Sequence, residues 1–302
     1  MIRRLEMHLT YGCVQGCVFC SESSRLARFR GAHLRAAEVA RVLAVKRRQG
    51  CDHLTLTGGE PTLHPGLPAV LAAARRLGFK TYVTSNGARL AEAGYARLVL
   101  PLIDELCLSV HGDDAELHDS LTRCSGSFGR LRRALAAARC RRKLFLLTNT
   151  VVTRRNWARL EAVLRFILAR PGVRHCLLSQ VAPEGRGAQD YGRQAVPFSW
   201  WRRKLPALAR LAERRGAVLR VFGLPLCALG KRQDCSNDLY FSPRVTVERG
   251  GAGLRETVSL RPTRRRVQPP LCLRCALRQD CGGVFRRHLA EFGTAGLRPM
   301  RP

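Results

Sequence analysis

GCVQGCVFC, residues 12–20, sets Cys13, Cys17 and Cys20 in a C-x3-C-x2-C spacing directly behind the apolar stretch Leu5–Thr10. Three thiolates on one short loop can hold three irons of a cubane [4Fe–4S] cluster, whose usual full complement is four cysteines. The fourth iron then keeps an open position, as a catalytic metal site requires and a structural one does not. A zinc site completed by a histidine such as His8 would use the same three residues.

Outward from this loop the chain alternates short apolar strands with helical segments. The strands are expected at Leu5–Thr10, His53–Thr57, Phe79–Thr84, Glu105–Val110, Leu144–Val152 and Val173–Val181, each apolar enough to be buried on both faces of a parallel sheet. Helices are expected over Leu34–Gln49, Leu67–Leu77, Arg89–Leu98, Asp113–Arg139, Arg155–Ala169 and Pro197–Arg215. Six βα units in a row imply right-handed crossovers and one sheet, open or curled into part of a barrel. Ligands collect at the carboxyl ends of such strands. Small polar motifs stand at those ends: TLTGGEP with Gly58, Gly59 and Glu60, TSNG with Ser85 and Asn86, SVHG with Ser109 and His111, then Asn149, then SQVAPEGRG. Paired glycines allow a ligand close to the backbone, and their carbonyls and Glu60 can accept hydrogen bonds from an ammonium.

Together, the cysteine triplet with Phe19 before its last member and the ordered strand-end motifs resemble the radical S-adenosylmethionine superfamily over about residues 4–187. The resemblance implies a partial (βα)6 TIM-like barrel of the α/β class. It implies S-adenosylmethionine chelated to the open iron of a [4Fe–4S] cluster on Cys13, Cys17 and Cys20, and reductive cleavage to a 5′-deoxyadenosyl radical. By the same resemblance Gly58, Gly59 and Glu60 hold the methionine amino group, with Ser85 and Asn86 ending the next strand. Phe19 and Val181 contact adenine, and Ser109 and Asn149 meet ribose or carboxylate. An electron donor such as flavodoxin or ferredoxin is implied too. His111 could line the cavity, and His118 is read as structural. Cys124 could relay a radical or be a small hydrophobe, and Cys51, Cys107, Cys140 and Cys176 are read as packing residues.

Past Ala217 the pattern changes, so a core unit over residues 1–217 and a smaller unit over 218–302 are expected. The second holds a strand at Val218–Phe222, a hairpin of Leu239–Val247 and Glu256–Leu260 around GGAG, and a helix over Val284–Phe292. Cys272, Cys275 and Cys281 form C-x2-C-x5-C, and Cys227 or Cys235 makes a fourth thiolate. A [4Fe–4S] cluster and a four-cysteine zinc ribbon both meet that count. This tail resembles the SPASM and twitch extensions of radical enzymes that modify peptides, although the next cysteine of the SPASM run would fall at Phe285. One auxiliary [4Fe–4S] cluster is implied, with Cys227 preferred because it closely follows the last apolar strand.

The 302 residues carry 53 Lys and Arg against 22 Asp and Glu, a net charge of +31. Codon preference of a GC-rich genome accounts for arginines spread along the whole chain, and an acidic partner is the other reading. RNA or DNA is expected to bind weakly and nonspecifically, with affinity falling as salt rises. No apolar run nears the ~20 residues of a membrane span, and no export signal precedes the cysteine loop. A cytoplasmic protein is expected, in which clustered cysteines, of thirteen in all, serve metals more often than disulfides. The expected activity is radical modification of a ribosomally made peptide. Alternatives are a small metabolite, or a nucleotide or RNA, as substrate and, from another class, a zinc-holding nucleic-acid binder without catalysis.

Overall fold

The computed structural model describes residues 2–251, 253–262 and 265–300; Ala252, in the GGAG turn, lies outside them. One nine-stranded sheet dominates. Its strands are β1 (Arg4–Thr10), β2 (His53–Gly58), β3 (Lys80–Ser85), β4 (Glu105–Ser109), β5 (Phe145–Val152), β6 (Val173–Gln180), β7 (Val218–Phe222), β8 (Arg244–Arg249) and β9 (Leu254–Ser259). They lie in the order β7-β6-β5-β4-β3-β2-β1-β8-β9, parallel except for the β8–β9 hairpin. A single cavity of about 570 Å³ is lined by Arg4, Thr55, Tyr82, Glu105, Leu147, His175, Arg220 and Arg244, one residue from each of the first eight strands. The sheet therefore curls around a lumen as a partial barrel.

The alternation of side chains along each strand sorts the two faces. Leu5, Met7 and Leu9 of β1, Leu54 and Leu56 of β2, and Leu106 and Leu108 of β4 are fully buried against the outer helices. These include α2 (Ala36–Arg48) and α3 (Leu67–Arg76). The inner face carries Arg4, Glu6 and His8, then Thr55 and Thr57, then Tyr82 and Thr84. The strands are thus apolar on one face only, where burial on both had been expected: the outer face packs on helices and the inner one on a polar cavity.

Three further differences follow from local chemistry. The long helix expected over Asp113–Arg139 is two, α5 (Ala115–Thr122) and α6 (Ser127–Arg139). Arg123 and Gly126 take left-handed conformations between them, and Asp119 accepts from Gly126 N, Ser127 Oγ and Phe128 N, capping the second. Val218–Phe222 is β7 and extends the barrel sheet beside β6, while β8 pairs in parallel with β1. Val284–Phe285 is a short strand paired with Arg266–Val267, and the helix begins only at Arg286.

Candidate functional site

The cysteine loop leaves β1 and is fastened on three sides by its backbone. Gly16 N donates to Thr122 O (2.8 Å) and Val18 N to Leu121 O (2.9 Å), tying the loop to the end of α5. Gly59 N donates to Thr10 O (2.7 Å) and Glu60 N to Gly12 O (2.8 Å), tying it to the end of β2. A Cβ on Gly58 would stand 2.5 Å from Thr10 O, and one on Gly59 2.2 Å from Gly12 O. The two glycines are therefore needed for the contact between strand end and cysteine loop, whatever a ligand demands. From the third side Arg186 donates its N to Cys20 O (3.0 Å) and its Nε to Cys17 O (2.8 Å).

The held loop opens on a cavity of about 190 Å³. Cys13, Cys17 and Cys20 line it, and so do Phe19, Gly58, Gly59, Glu60, Ser85, Asn86, Ser109, His111 and Asn149. The expected residues of five strand ends thus meet at one place. Val181 does not line it: fully buried, it sits in an apolar cluster with Val18, Phe19 and Leu121. His111 lies edge-on to Phe19, ring centroids 4.6 Å apart, and its Nδ1 accepts from Val151 N at 3.3 Å. Burial and the neighbouring His118 hold it neutral, its pKa well below the usual histidine range. His118 stacks behind it at 5.8 Å, outside the cavity lining, in keeping with a structural role.

Glu60 lines the cavity and also ties strand ends together. Its Oε1 accepts from Thr62 N (3.0 Å), Thr62 Oγ1 (2.6 Å) and Ser85 Oγ (2.7 Å), and its Oε2 from Asn86 N (2.6 Å). Burial raises its pKa while these bonds oppose the rise. The carboxylate locks the end of β3 to the end of β2, and Asn86 in turn donates Nδ2 to Cys13 Sγ at 3.7 Å.

The three thiols suit an iron–sulfur group. Gln15 N donates to Cys13 Sγ at 3.4 Å. Burial pushes the Cys13 thiol up to about 11 and that of Cys17 to about 12, the latter raised further by Cys20 and Cys13 nearby. Thiolates gathered this way form when a cation joins them, so loading couples to proton release.

In the tail, Cys227, Cys272, Cys275 and Cys281 surround an enclosed cavity of about 20 Å³ with Leu277, Val284 and Leu297. Backbone N–H groups point at the sulfurs: Leu226 N and Gly283 N at Cys281 Sγ, both 3.4 Å, and Met300 N at Cys275 Sγ, 3.4 Å. Such donors suit ionised sulfur. Cys235 is absent from this lining and fully buried in the main core. Among the described residues no three His, Cys, Asp or Glu side chains form a site for a single metal ion.

The model of the Radical SAM superfamily matches residues 7–167, more than half of the chain and including the cysteine loop and the ends of β1 to β5. The chain belongs to the radical SAM superfamily. Membership implies S-adenosylmethionine and a [4Fe–4S] cluster. PqqA peptide cyclase of Granulibacter bethesdensis is 31% identical over 162 residues, which cover 53% of this chain and 42% of the relative. The match thus spans less than half of that relative's length. Streptococcus suis SuiB bound to S-adenosylmethionine superposes with a TM-score of 0.68 at 17% identity, over 100% of this chain and 76% of that one. SuiB bound to its precursor peptide SuiA gives 0.62 at 16%, over 82% and 58%. anSMEcpe with bound AdoMet gives 0.58 at 16%, over 73% and 63%. These likenesses show the fold.

Within this radical SAM barrel, Arg186 is the contact that sequence reading missed. It stood in view in SQVAPEGRG, but nothing in one chain shows that an arginine after β6 will reach a loop after β1.

Proposed function

We propose that the chain reductively cleaves S-adenosylmethionine at a [4Fe–4S] cluster on Cys13, Cys17 and Cys20 and uses the resulting radical on a ribosomally made peptide. The observation that carries the reading is the shared cavity: three cysteines and the ends of β2 to β5 face one another across it. Bound there, cluster and S-adenosylmethionine supply one-electron cleavage of the sulfonium to a 5′-deoxyadenosyl radical. The protein's share is position and exclusion. Gly58 and Gly59 seat the β2 end on the loop, Glu60 fixes Ser85 and Asn86, and Arg186 braces the carbonyls of Cys17 and Cys20. Phe19 and His111 offer an aromatic wall for adenine, and Ser109 and Asn149 offer hydroxyl and amide to the ribose or carboxylate.

We infer further that residues 218–302 carry one auxiliary [4Fe–4S] cluster on Cys227, Cys272, Cys275 and Cys281, although β7 and β8 of that segment belong to the barrel sheet. The fit rests on four thiols around one closed cavity and on the N–H groups aimed at them. The peptide reading draws support from the names of the relatives, a peptide cyclase and a structure with a precursor peptide. A flavodoxin or ferredoxin would supply the electron. Among the described residues no helix is long and apolar enough to cross a membrane, and a cytoplasmic setting would keep the thiols reduced. The test is anaerobic reconstitution with iron and sulfide, reduction, and measurement of 5′-deoxyadenosine, with candidate precursor peptides followed by mass. Zinc in place of iron in protein purified without oxygen would refute it.

A further inference from the structure

The barrel lumen has two ends of different character. Ser21, Glu22, Thr57, Thr84 and Asn149 line both the lumen and the cysteine cavity, so the two are continuous at the carboxyl ends of the strands. At the opposite end stand Arg4 and Arg244, which begin neighbouring strands in register. Across from them are His175 and Arg220 on β6 and β7.

The charges there do not cancel. Among the lining carboxylates, Glu6 is held by Arg244 at 3.2 Å, Glu105 by Lys80 at 2.7 Å and Glu22 by Arg25 at 2.9 Å. Arg4 and Arg220 have no carboxylate partner among the described residues. Arg220 instead lies 3.9 Å from the ring centre of Tyr240 and donates to a backbone carbonyl, Asp234 O. Arg244 Nε is a buried donor with no hydrogen-bond partner, a costly state that a bound acceptor would relieve, and His175 Nε2 is likewise buried and unpartnered. Beside these arginines the lining includes two exposed aromatic side chains, Phe145 at 38% and Tyr240 at 57%.

Resting on the function proposed above, we propose that this mouth is the entry site of the substrate and that Arg4 and Arg220 clamp a carboxylate of an acidic peptide segment. Arginine pairs with planar carboxylates through a fork of donors, and a narrow cationic opening concentrates anions from solution. The arginines favour a peptide over a nucleic acid, because they stand singly on separate strands and form no continuous track for a phosphate backbone.

Because the whole molecule carries +31, the test must separate the mouth from general attraction. Dansyl-labelled tetraglutamate is titrated by fluorescence anisotropy into the anaerobically reconstituted full chain, into Arg4→Ala/Arg220→Ala, and into Arg132→Ala/Arg133→Ala. The last changes the net charge equally at two exposed arginines of α6. Loss of a charged hydrogen-bonded pair predicts a fall of about tenfold or more for the mouth variant and little for the control. Arg4→Glu/Arg220→Glu should weaken tetraglutamate binding further than Arg4→Ala/Arg220→Ala, and Arg132→Glu/Arg133→Glu should not. Equal losses in mouth and control variants would overturn the clamp. An oligothymidylate that loses as much affinity as the peptide on Arg4→Ala/Arg220→Ala would overturn its assignment to peptides. Formation of 5′-deoxyadenosine by the unsubstituted protein is scored separately, so failure of the radical chemistry and failure of the clamp cannot be confused.

Discussion

The three cysteines of the β1 loop face a polar cavity that runs on into the lumen, whereas the four of the tail close around a small apolar one. The loop owes its shape to backbone contacts with α5, β2 and the segment after β6, and its open side meets serine, asparagine and histidine. The tail set gathers four sulfurs on that small cavity beside Leu277, Val284 and Leu297, and two of them, Cys281 and Cys275, receive N–H groups from Leu226, Gly283 and Met300. A three-thiol set leaves one iron of a cubane free to bind something else, and a four-thiol set leaves none.

Replacing Cys13, Cys17 and Cys20 together with alanine gives the largest effect expected from this contrast. Formation of 5′-deoxyadenosine should fall to background while the protein keeps about four irons, the content of one cubane. Continued cleavage by this variant would erase the distinction. Next comes Cys272→Ala with Cys275→Ala, which should remove the tail irons and product formation yet leave uncoupled cleavage of S-adenosylmethionine measurable. If cleavage vanished as well, the tail set would be part of the reacting centre.

A finer cut separates Cys227 from Cys235. Cys227→Ala should lower iron content, whereas Cys235→Ala should leave iron unchanged and cost about 1 kcal/mol or somewhat more of stability from a small core cavity. Iron loss from the Cys235 variant alone would reassign the fourth ligand. The smallest effect is on pH dependence. Burial lowers the pKa of His118 and His288 from 6.5 to about 4, one beside the cysteine loop and one in the tail. The unfolded chain takes up these protons near pH 6.5 and the folded chain only near 4, so each histidine's contribution is present above pH 6.5 and lost as pH falls toward 4. His288 packs at 4.0 Å on Phe198; His288→Phe should flatten the fall in thermal midpoint between pH 7 and 5. An unchanged slope would show that His288 does not titrate in this way.

The cysteine spacings and the six βα units were legible because both depend on neighbours in sequence. GGEP and TSNG marked strand ends correctly, but the bonds from Ser85 and Asn86 to Glu60 were hidden, because only the fold brings them to its carboxylate. The polar inner face was misread, since Arg4, Glu6 and His8 alternate with Leu5, Met7 and Leu9 in the pattern of a half-buried strand. The break in the 113–139 helix was signalled by SGS and Gly126, yet helical periodicity on both sides masked it. The preference for Cys227 over Cys235 rested on its closeness to β7, and burial adds a second ground that sequence could not supply: Cys227 lines the tail cavity, whereas Cys235 is buried in the main core.

The pairing of β8 with β1 bears on how the chain comes into being. Arg4 faces Arg244 across that ladder, and Tyr11 Oη accepts from Arg249 N at 2.7 Å beside the cysteine loop. During synthesis β2 can cover one flank of the first strand early, but the other must wait for a partner some 240 residues later, on the order of ten to fifty seconds at ~5–20 residues per second. Through that interval its open flank is a template for wrong pairing. The polar residues Arg4, Glu6 and His8 make it a poor one, and the same charges that later line the lumen guard the nascent edge against its neighbours on the ribosome.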